Sequence, residues 1–265
     1  MTDEKCLSEY QEKISKNINE VLSKKQFKEI FSFIKTIEPH FNDFCIIDGR
    51  FRLRTNDRTC VIEAEFDSLR NVSFAISDLK LSIKMLSVLN KNTDISVSVD
   101  NNLIAFSDQR QNIQFEQPSY AYLDNKFVSD EEMENIFFSN IDPNRPFIQE
   151  TVHKTRLSNI VKVGQLLNSD SISIRHEEDN VNKGYISIAD RARGSYNLKL
   201  KKEFLSPMKE GHYLMVTSAA FTVNKADLDL DFHFDKKDEI IIVICHTSID
   251  DLQLHIYARS ALLEE

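Results

Sequence analysis

The sequence contains few of the residues that interrupt or loosen a chain. Its 265 residues include only 5 Gly and 5 Pro, and no stretch is rich in Pro, Gly or Ser. Because no flexible linker is present, any two domains should be joined tightly. The chain has no Trp and no run of about 18 apolar residues, and it opens with the polar segment MTDEKCLSEY. We therefore expect no membrane span, no secretory signal and a cytoplasmic location.

Cysteine pairs and catalytic motifs are also missing. The four cysteines, Cys6, Cys45, Cys60 and Cys245, form no CxxC pair, and the last three lie in apolar, strand-like runs. Reduced and buried thiols are expected at those three positions. The sequence has no P-loop, GxGxxG or GxSxG motif that would support an enzyme. We predict no catalytic residue, no metal and no cofactor.

The hydrophobic content of 41% is ample for a buried core, and the length fits one large domain or two ordinary ones. Two domains are the better expectation. The formal net charge of −9, taken alone, argues against a nucleic-acid partner, because Lys and Arg supply phosphate contacts. The distribution of the charges along the chain therefore decides the question.

One internal repeat organises the chain. The segment EVLSKKQFKEIF at 20–31 aligns without gaps with ETVHKTRLSNIV at 150–161, an offset of 130 residues. Each copy predicts a short strand followed by a helix, and Ser23 is a candidate N-cap for the first helix. Apolar residues recur at helical spacing in that helix, namely Phe27, Ile30, Phe31, Ile34 and Ile37.

Strands follow both copies of the repeat. A hairpin is predicted at Asp48–Gly49, and a second helix begins near Asp78 with an apolar stripe that includes Leu79, Ile83, Leu86 and Leu89. The remaining first-half strands are expected at 44–54, 59–66, 72–76, 95–99, 103–107 and 112–116. In the second half, strands are expected at 171–175, 185–189, 195–200, 213–217, 228–234, 240–246 and 252–257, with a short helix ending at Ser206–Pro207.

This order predicts an α+β protein with two similar domains, each with two helices packed on antiparallel sheet. The N-terminal extension should form a small amphipathic helix through Leu7, Tyr10 and Ile14. The acidic segment between the two domains, residues 118–146, should be an irregular connector with one helical turn at 131–138. We assign 1–17 to the extension, 18–117 to the first domain, 118–146 to the connector and 147–265 to the second domain.

Basic residues concentrate on the predicted helices, although the chain is acidic. On the first helix Lys24, Lys28 and Lys35 fall within a stripe of about 40°, and Lys80, Lys84 and Lys91 repeat that spacing on the second. Lysines often mark only a solvated helix face, but this recurrence favours a function. A positive groove would hold DNA through its phosphates, without sequence preference. The candidate DNA-binding residues are Lys24, Lys25, Lys28, Lys35, Lys80, Lys84, Lys91, Lys154, Arg156, Lys162, Lys201, Lys202 and Lys209.

An enzymatic alternative comes from the acidic residues of one predicted strand. Asp227, Asp229, Asp231, His233 and Asp235 alternate with apolar residues and would share one face, so a metal-dependent nuclease site is conceivable. A half-buried strand with a solvated face produces the same alternation, and we favour that interpretation.

Several segments resemble the sliding clamps of T-even-like bacteriophages. The stretches ISDLKLSIKMLSVL at 76–89, DISVSVD at 94–100 and IAFSD at 104–108 are similar to the second helix and succeeding hairpin of that family. The stretch PMKEGHYLM at 207–215 is similar to the fourth helix and next strand. The resemblance covers about residues 18 to 257. The N-terminal extension and the short, Pro207-containing fourth helix depart from the family pattern.

The resemblance implies the architecture of proliferating cell nuclear antigen, in which three two-domain subunits form a ring with helices lining the hole. It implies a homotrimer that encircles duplex DNA as the processivity factor of a replicative DNA polymerase, loaded by an ATP-dependent clamp loader. Partners of this family bind through short C-terminal peptides in an apolar pocket near the connector. Tyr120, Tyr122 and Leu123 are candidates for its border, or else simply pack the connector. A subunit of a heterotrimeric checkpoint-type clamp is the alternative.

Overall fold

The structure is a computed structural model, and contacts divide the chain into two units. Unit 1 comprises residues 1–56 and 63–127, and unit 2 comprises residues 57–62 and 128–265. The division at Phe127 and Val128 falls inside the predicted connector. The structure describes residues 2–55, 60–100, 103–123, 127–146, 148–167, 171–177, 180–190, 194–203, 212–217, 227–235, 237, 240–249 and 252–262.

Unit 1 contains three α-helices and two antiparallel sheets. The helices are α1 (Thr2–Ser15), α2 (Lys24–Ile37) and α3 (Leu79–Leu86). The strands are β1 (Ile18–Leu22), β2 (Phe44–Ile47), β3 (Arg50–Arg54), β4 (Cys60–Phe66), β5 (Phe74–Ile76), β6 (Ile95–Asp100), β7 (Leu103–Ser107) and β8 (Asn112–Glu116). One sheet has the order β1-β6-β7-β8, and β4-β3-β2-β5 are neighbours in the other. The first three residues of β4 belong to unit 2.

Local sequence explains why α2 and the first hairpin form. Ser23 caps α2 in a capping box with Gln26, so each side chain accepts a hydrogen bond from the other residue's backbone N–H. All five predicted apolar residues of α2 are buried, together with Phe33. At the β2–β3 turn Asp48 and Gly49 have φ values of 50° and 78°. Such left-handed pairs match the twist of a two-residue hairpin, and both predictions are confirmed.

The described residues of unit 2 comprise the rest of the connector and a run of eight paired strands. The connector forms α4 (Asp130–Met133) and a π-helical turn (Glu134–Phe138), as the sequence predicts. The other elements are β9 (Ile148–Val152), α5 (Lys154–Leu167), β10 (Ser171–Glu177), β11 (Asn180–Asp190), β12 (Gly194–Glu203), β13 (His212–Thr217), β14 (Leu228–Asp235), β15 (Ile240–Ile249) and β16 (Leu252–Leu262). The strands pair antiparallel in the order β12-β11-β10-β13-β16-β15-β14-β9.

The repeat found in the sequence is present in the fold. The strand and helix that follow one another as β1 and α2 recur as β9 and α5, and all four boundaries are displaced by the same 130 residues. The connector packs into unit 2 through Val128, Met133 and Phe137, which join an apolar cluster with strand residues of that unit such as Ile242 and Tyr257. The predicted α+β class with helices on antiparallel sheet is therefore confirmed.

Three predictions of local structure need correction or lie outside the description. Helix α3 ends at Leu86, so Leu89 and Lys91 follow the helix instead of belonging to it. Strand β12 extends beyond the predicted 195–200 and includes Lys201 and Lys202. The predicted helix ending at Ser206–Pro207 lies outside the described residues. In the part of the chain that is described, no helix is long and apolar enough to cross a membrane.

Candidate nucleic-acid interface

Helices α2 and α3 present exposed lysines in unit 1. Lys24, Lys28, Lys80 and Lys84 are all exposed, and no carboxylate among the described residues lies within ion-pair distance of any of them. Lys35 is exposed as well. Lys25 differs, because its ammonium group lies 3.8 Å from Glu29 one turn along the helix. The positive charge of the other lysines is therefore not neutralised by a direct carboxylate contact.

The loop after α3 joins these lysines to one another. Nζ of Lys28 donates to the Asn92 side chain at 3.3 Å, and the backbone N–H of Lys24 donates to the carboxylate of Asp94 at 3.1 Å. The second contact places a carboxylate at the N-terminus of α2, where the helix dipole favours it. Because this loop also carries Lys91, residues from both predicted basic stripes lie in one region of unit 1.

Asp108 holds that loop in place. Its carboxylate accepts hydrogen bonds from the backbone N–H groups of Asn90, Arg110 and Gln111, each at 2.7 Å. These donors, with the first of them the largest contribution, hold the pKa of Asp108 below its usual value because they stabilise the ionised form. The Asn90 contact fixes the backbone immediately before Lys91.

Phe31 of α2 brings two of the lysines together. Nζ of Lys35 lies 4.9 Å from the centre of the Phe31 ring, and Nζ of Lys91 lies 4.3 Å from the same centre. Both distances are within the range of a cation–π contact. Phe31 itself is only 4% exposed and stacks on Phe27 with 5.8 Å between ring centres.

Unit 2 has a basic helix of its own. Lys154, Arg156 and Lys162 are exposed on α5, which corresponds to α2 in the repeat. Backbone N–H of Lys154 donates to Asp227, which also contacts His153 at 3.0 Å. The structure therefore gives each unit a helix with exposed cations. The side chains of Lys201 and Lys202, and the whole of Lys209, lie outside the described residues.

The three candidate partner-binding residues of the connector have different environments. Tyr120 and Leu123 are buried, whereas Tyr122 is 85% exposed. The Tyr120 hydroxyl donates to the carbonyl of Phe127 at 2.9 Å, and its ring lies 5.4 Å from that of Tyr10 in α1. Of the three, Tyr122 therefore offers an accessible ring, while Tyr120 and Leu123 are packed inside unit 1, and the partner-binding role of all three stays a prediction.

Helix α1 is the element that covers this part of the connector. Ile14 is fully buried and its carbonyl accepts a 2.6 Å hydrogen bond from the Gln117 side chain. The Gln11 side-chain oxygen accepts from the Ser119 hydroxyl at 3.0 Å and from the backbone N–H of Tyr120. The predicted helix of the extension is confirmed, but its contacts with the connector carry no signal in the sequence. The side chain of Leu7 lies outside the described residues.

The acidic residues of β14 do not form a solvated row. Asp227 and Asp229 are exposed, but Asp231, His233 and Asp235 are buried, so the favoured reading of a half-exposed strand is wrong for its C-terminal half. Leu230 and Phe232, which point to the other face of the strand, are buried too, so this part of β14 is covered on both faces.

Most of these aspartates contact side chains of the protein that are not part of a metal site. Asp229 accepts from the Thr151 hydroxyl at 2.6 Å, Asp231 lies 3.2 Å from Nε2 of His246, and Asp235 accepts from the Asn140 amide at 3.1 Å. Burial lowers the pKa of His233 below its usual value, which favours a neutral ring. Among the described residues no group of three or more His, Cys, Asp or Glu side chains could hold a metal ion.

The predicted cysteine environments agree with the structure. Cys45, Cys60 and Cys245 are buried and are not in disulfides. Burial raises the pKa of the Cys45 and Cys245 thiols far above the ordinary value, so neither is a candidate nucleophile.

Comparison with known proteins identifies the fold. No protein-family model matches the sequence, and no curated protein matches it. Solved structures do match. The chain resembles the PCNA2–PCNA3 complex of Sulfolobus tokodaii with a TM-score of 0.59 at 14% identity, over 92% of this chain and 99% of the other. It resembles the proliferating cellular nuclear antigen of Entamoeba histolytica with a TM-score of 0.57 at 11% identity, over 92% of this chain and 98% of the other.

A bacterial protein shows the same likeness over part of its length. A putative DNA polymerase III beta subunit from Eubacterium rectale matches with a TM-score of 0.57 at 14% identity, over 94% of this chain and 66% of the other. Such low identities establish the architecture and leave the activity to be argued from the residues. The chain therefore has the α+β fold of the DNA sliding clamps.

Proposed function

We propose that this chain is a DNA sliding clamp, which encircles duplex DNA and serves as the processivity factor of a replicative DNA polymerase. One observation carries the proposal. In a chain of net charge −9 with the sliding-clamp fold, exposed cations with no carboxylate within ion-pair distance among the described residues recur on the helices of both repeats. In this proposal the chain acts in the cytoplasm, that of the host cell if a bacteriophage encodes it, and it needs neither catalysis nor a cofactor.

The physical basis is that a closed ring makes strong binding unnecessary. Encircled DNA cannot leave sideways, so the lysines need only hold the duplex away from the wall. Lysine suits that role, because its flexible point charge attracts a phosphate without fixing the register of the helix. Binding should therefore be independent of sequence and strongly dependent on salt.

Self-assembly into a homotrimer is part of the proposal, and open strand edges support it. Strand β8 is the last strand of its sheet in unit 1, and β12 is the last strand of the run in unit 2. Such edges present unpaired backbone groups that another chain can extend. Pairing β8 of one copy with β12 of the next is a head-to-tail contact, and a contact of that kind forms a ring when the rotation between successive copies closes after three.

Partners of the proposed ring are the polymerase and an ATP-dependent clamp loader. The exposed Tyr122 is the candidate contact for their peptides, because an accessible aromatic ring beside a buried connector is a suitable anchor for an apolar side chain. The buried Tyr120 and Leu123 would hold the connector in position beside Tyr122. Replacing Tyr122 by Ala should weaken the binding of a peptide from the polymerase without affecting retention of the clamp on DNA.

The decisive experiment compares circular with linear DNA. A loaded clamp should remain on a nicked circle and be lost when the circle is cut, since the link is topological. Equal retention on both forms would contradict encirclement. The lysines are tested separately by Lys84→Gln, with Lys237→Gln as the control, since Lys237 is exposed but lies outside the basic helices. In a plot of the logarithm of the DNA-binding constant against the logarithm of salt concentration, the magnitude of the negative slope should decrease by about 0.9 for Lys84→Gln and stay unchanged for the control.

A heteromeric clamp is the second candidate. The observation that favours it is the resemblance to a complex of two different subunits, PCNA2 and PCNA3, in Sulfolobus tokodaii. Light scattering on the purified chain separates the two possibilities. A homotrimer supports the replicative clamp, and a stable monomer that joins a ring only with other subunits supports the heterotrimer.

A further inference from the structure

Helix α1 covers a surface of unit 1 that combines aromatic rings with polar groups. The ring of Tyr10 in α1 lies 5.4 Å from the ring of Tyr120 and 5.3 Å from that of Phe127, measured between ring centres. Both covered residues are buried, at 3% and 7% exposed. The Gln11 side-chain oxygen of α1 accepts hydrogen bonds from the Ser119 hydroxyl and the backbone N–H of Tyr120. We define the connector surface as the residues of this segment that α1 contacts, namely Gln117, Ser119, Tyr120 and Phe127.

The described part of α1 has few apolar contacts with the rest of unit 1. Among its described side chains, those of residues 8–15, Ile14 is the one apolar side chain that is buried, and Tyr10 is only partly buried. In α2, by contrast, six apolar side chains of 14 residues are buried. The 3.0 Å ion pair of Lys13 with Asp48 joins two partly exposed groups, so it stabilises the position of α1 only slightly. A segment with so few buried apolar contacts opens locally more easily than the protein unfolds.

One buried acceptor beneath α1 lacks a donor. Gln117 is 5% exposed, and its side-chain nitrogen donates to the carbonyl of Ile14 at 2.6 Å. Its side-chain oxygen has no hydrogen-bond partner among the residues that the structure describes. A buried acceptor without a donor destabilises the arrangement that buries it. A ligand that brings a donor to this oxygen would therefore make a hydrogen bond that α1 does not make.

We propose that α1 is a displaceable occupant of a peptide-docking surface, and that a helical segment of a protein partner takes its place. The contacts of α1 define what the connector surface accepts. The segment would present an acceptor to the N–H of Tyr120, an aromatic ring to Tyr120 and Phe127, an aliphatic side chain in the place of Ile14 and a donor to Gln117.

The connector surface continues to an accessible ring. Tyr122 lies in the same short 3₁₀ turn as Tyr120 and is exposed, so a segment bound in the place of α1 lies next to it. That the partner is the polymerase or the clamp loader rests on the proposed function of the chain. In that case α1 regulates the partner site, because it excludes both proteins until it is displaced.

Competition with α1 relates the affinity for a peptide to the opening of the helix. Only Lys16 and Asn17 join α1 to β1, so α1 rebinds from a high local concentration. A peptide in solution binds only the open fraction of the chains, and its apparent affinity is reduced by that fraction. A substitution that releases α1 without altering the connector surface should therefore raise both quantities by the same factor.

The test variant is Gln11→Ala, because it changes the occupant and leaves the connector surface intact. Glu12→Ala is the matched control, since Glu12 is the next residue of α1 and is exposed. The probe is a fluorescein-labelled synthetic peptide with the wild-type sequence of residues 2–16, added to the full-length protein under reducing conditions. Gln11→Ala should bind it roughly five- to 150-fold more tightly than the wild type, and Glu12→Ala should bind it like the wild type. A peptide that carries both Gln11→Ala and Ile14→Ala should bind to none of the three proteins.

Hydrogen exchange measures the open fraction independently. An isolated helix of 14 residues is marginal in water, so displaced α1 should unfold and its amides should exchange. In the wild type they should exchange about 100-fold faster than those of α2, and in Gln11→Ala faster again by the same factor as the gain in peptide affinity.

Equal peptide affinity of the three proteins, or amides of α1 as well protected as those of α2, would overturn this inference. Neither measurement uses DNA, so such a result leaves the clamp proposal intact. Equal retention on circular and linear DNA, together with tighter peptide binding by Gln11→Ala, would instead refute the clamp and support the docking surface.

Discussion

Helix α1 should hold the first part of the connector through the hydrogen bonds of Gln11, beside the ring contact of Tyr10 with Tyr120. The Gln11 oxygen accepts from the Ser119 hydroxyl and from the backbone N–H of Tyr120, a residue that is buried. Replacing Gln11 by Ala leaves that N–H without an acceptor away from water. An unsatisfied buried donor costs about 1–3 kcal/mol, which corresponds to roughly a five- to 150-fold shift in a local opening equilibrium.

Hydrogen exchange measures this opening directly. In Gln11→Ala, amide protection across residues 117–123 should fall by roughly that factor. Glu12→Ala is the matched control, because Glu12 is the next residue of α1 and is exposed. Gln11→Glu should retain most of the protection, since a carboxylate also accepts both hydrogen bonds. Protection in Gln11→Ala equal to that in Glu12→Ala would refute the view that α1 anchors the connector through this residue.

Three further predictions concern stability. Glu63→Ala should lower the free energy of unfolding in urea by about 3–5 kcal/mol, because it leaves the buried Arg52, which Glu63 contacts at 2.9 and 3.1 Å, without its carboxylate partner. Glu65→Ala is the control and should cost at most about 1 kcal/mol, because Glu65 is half-exposed. Similar losses in the two variants would contradict the burial argument. Gly49→Ala should cost more than about 1 kcal/mol, because a Cβ there would lie 2.7 Å from the backbone of Leu69, and an unchanged melting temperature would show that the turn relaxes. Since the pKa of Asp108 is lowered in the folded state, its contribution to stability is present above the ordinary carboxyl pKa and is lost as pH falls through the lowered value. The melting temperature should therefore fall less steeply on the acid side in Asp108→Asn than in the wild type.

Features set by neighbouring residues could be predicted from the sequence. The capping box needs only Ser23 and Gln26, three residues apart, and the hairpin needs only the consecutive Asp48 and Gly49. The repeat was visible because a strand and helix of fixed length keep their apolar positions in the same register. Such signals are local, so they do not depend on where the rest of the chain lies.

Apolar periodicity misplaced the end of α3 for a physical reason. Leu89 is buried like Leu86, although it follows the helix, so the pattern of apolar residues continues after the helical backbone has ended. Lys91 was assigned to a helix on the same pattern. It reaches Phe31 from a loop instead.

Contacts between distant residues could not be predicted. Gln117 and Ile14 are 103 positions apart, and the polar character of Gln11 gives no sign of its partners. The alternation in β14 was also ambiguous, because a period of two shows which residues share a face but not whether that face is covered. Asp231 and His233 are buried although the same pattern usually marks a solvated side.

The spacing of the basic residues carries a cost that a purely structural role would not explain. Lys24 and Lys28 are four residues apart on α2, and Lys80 and Lys84 are four residues apart on α3. Like charges at that spacing destabilise a helix by about 0.2–0.5 kcal/mol per pair, whereas a Glu at either position would stabilise it, as Glu29 can do for Lys25. The chain has 42 acidic residues and places none at these positions. Two helices with the same unfavourable spacing of lysines, in an otherwise acidic protein, therefore support the phosphate binding that is proposed for them.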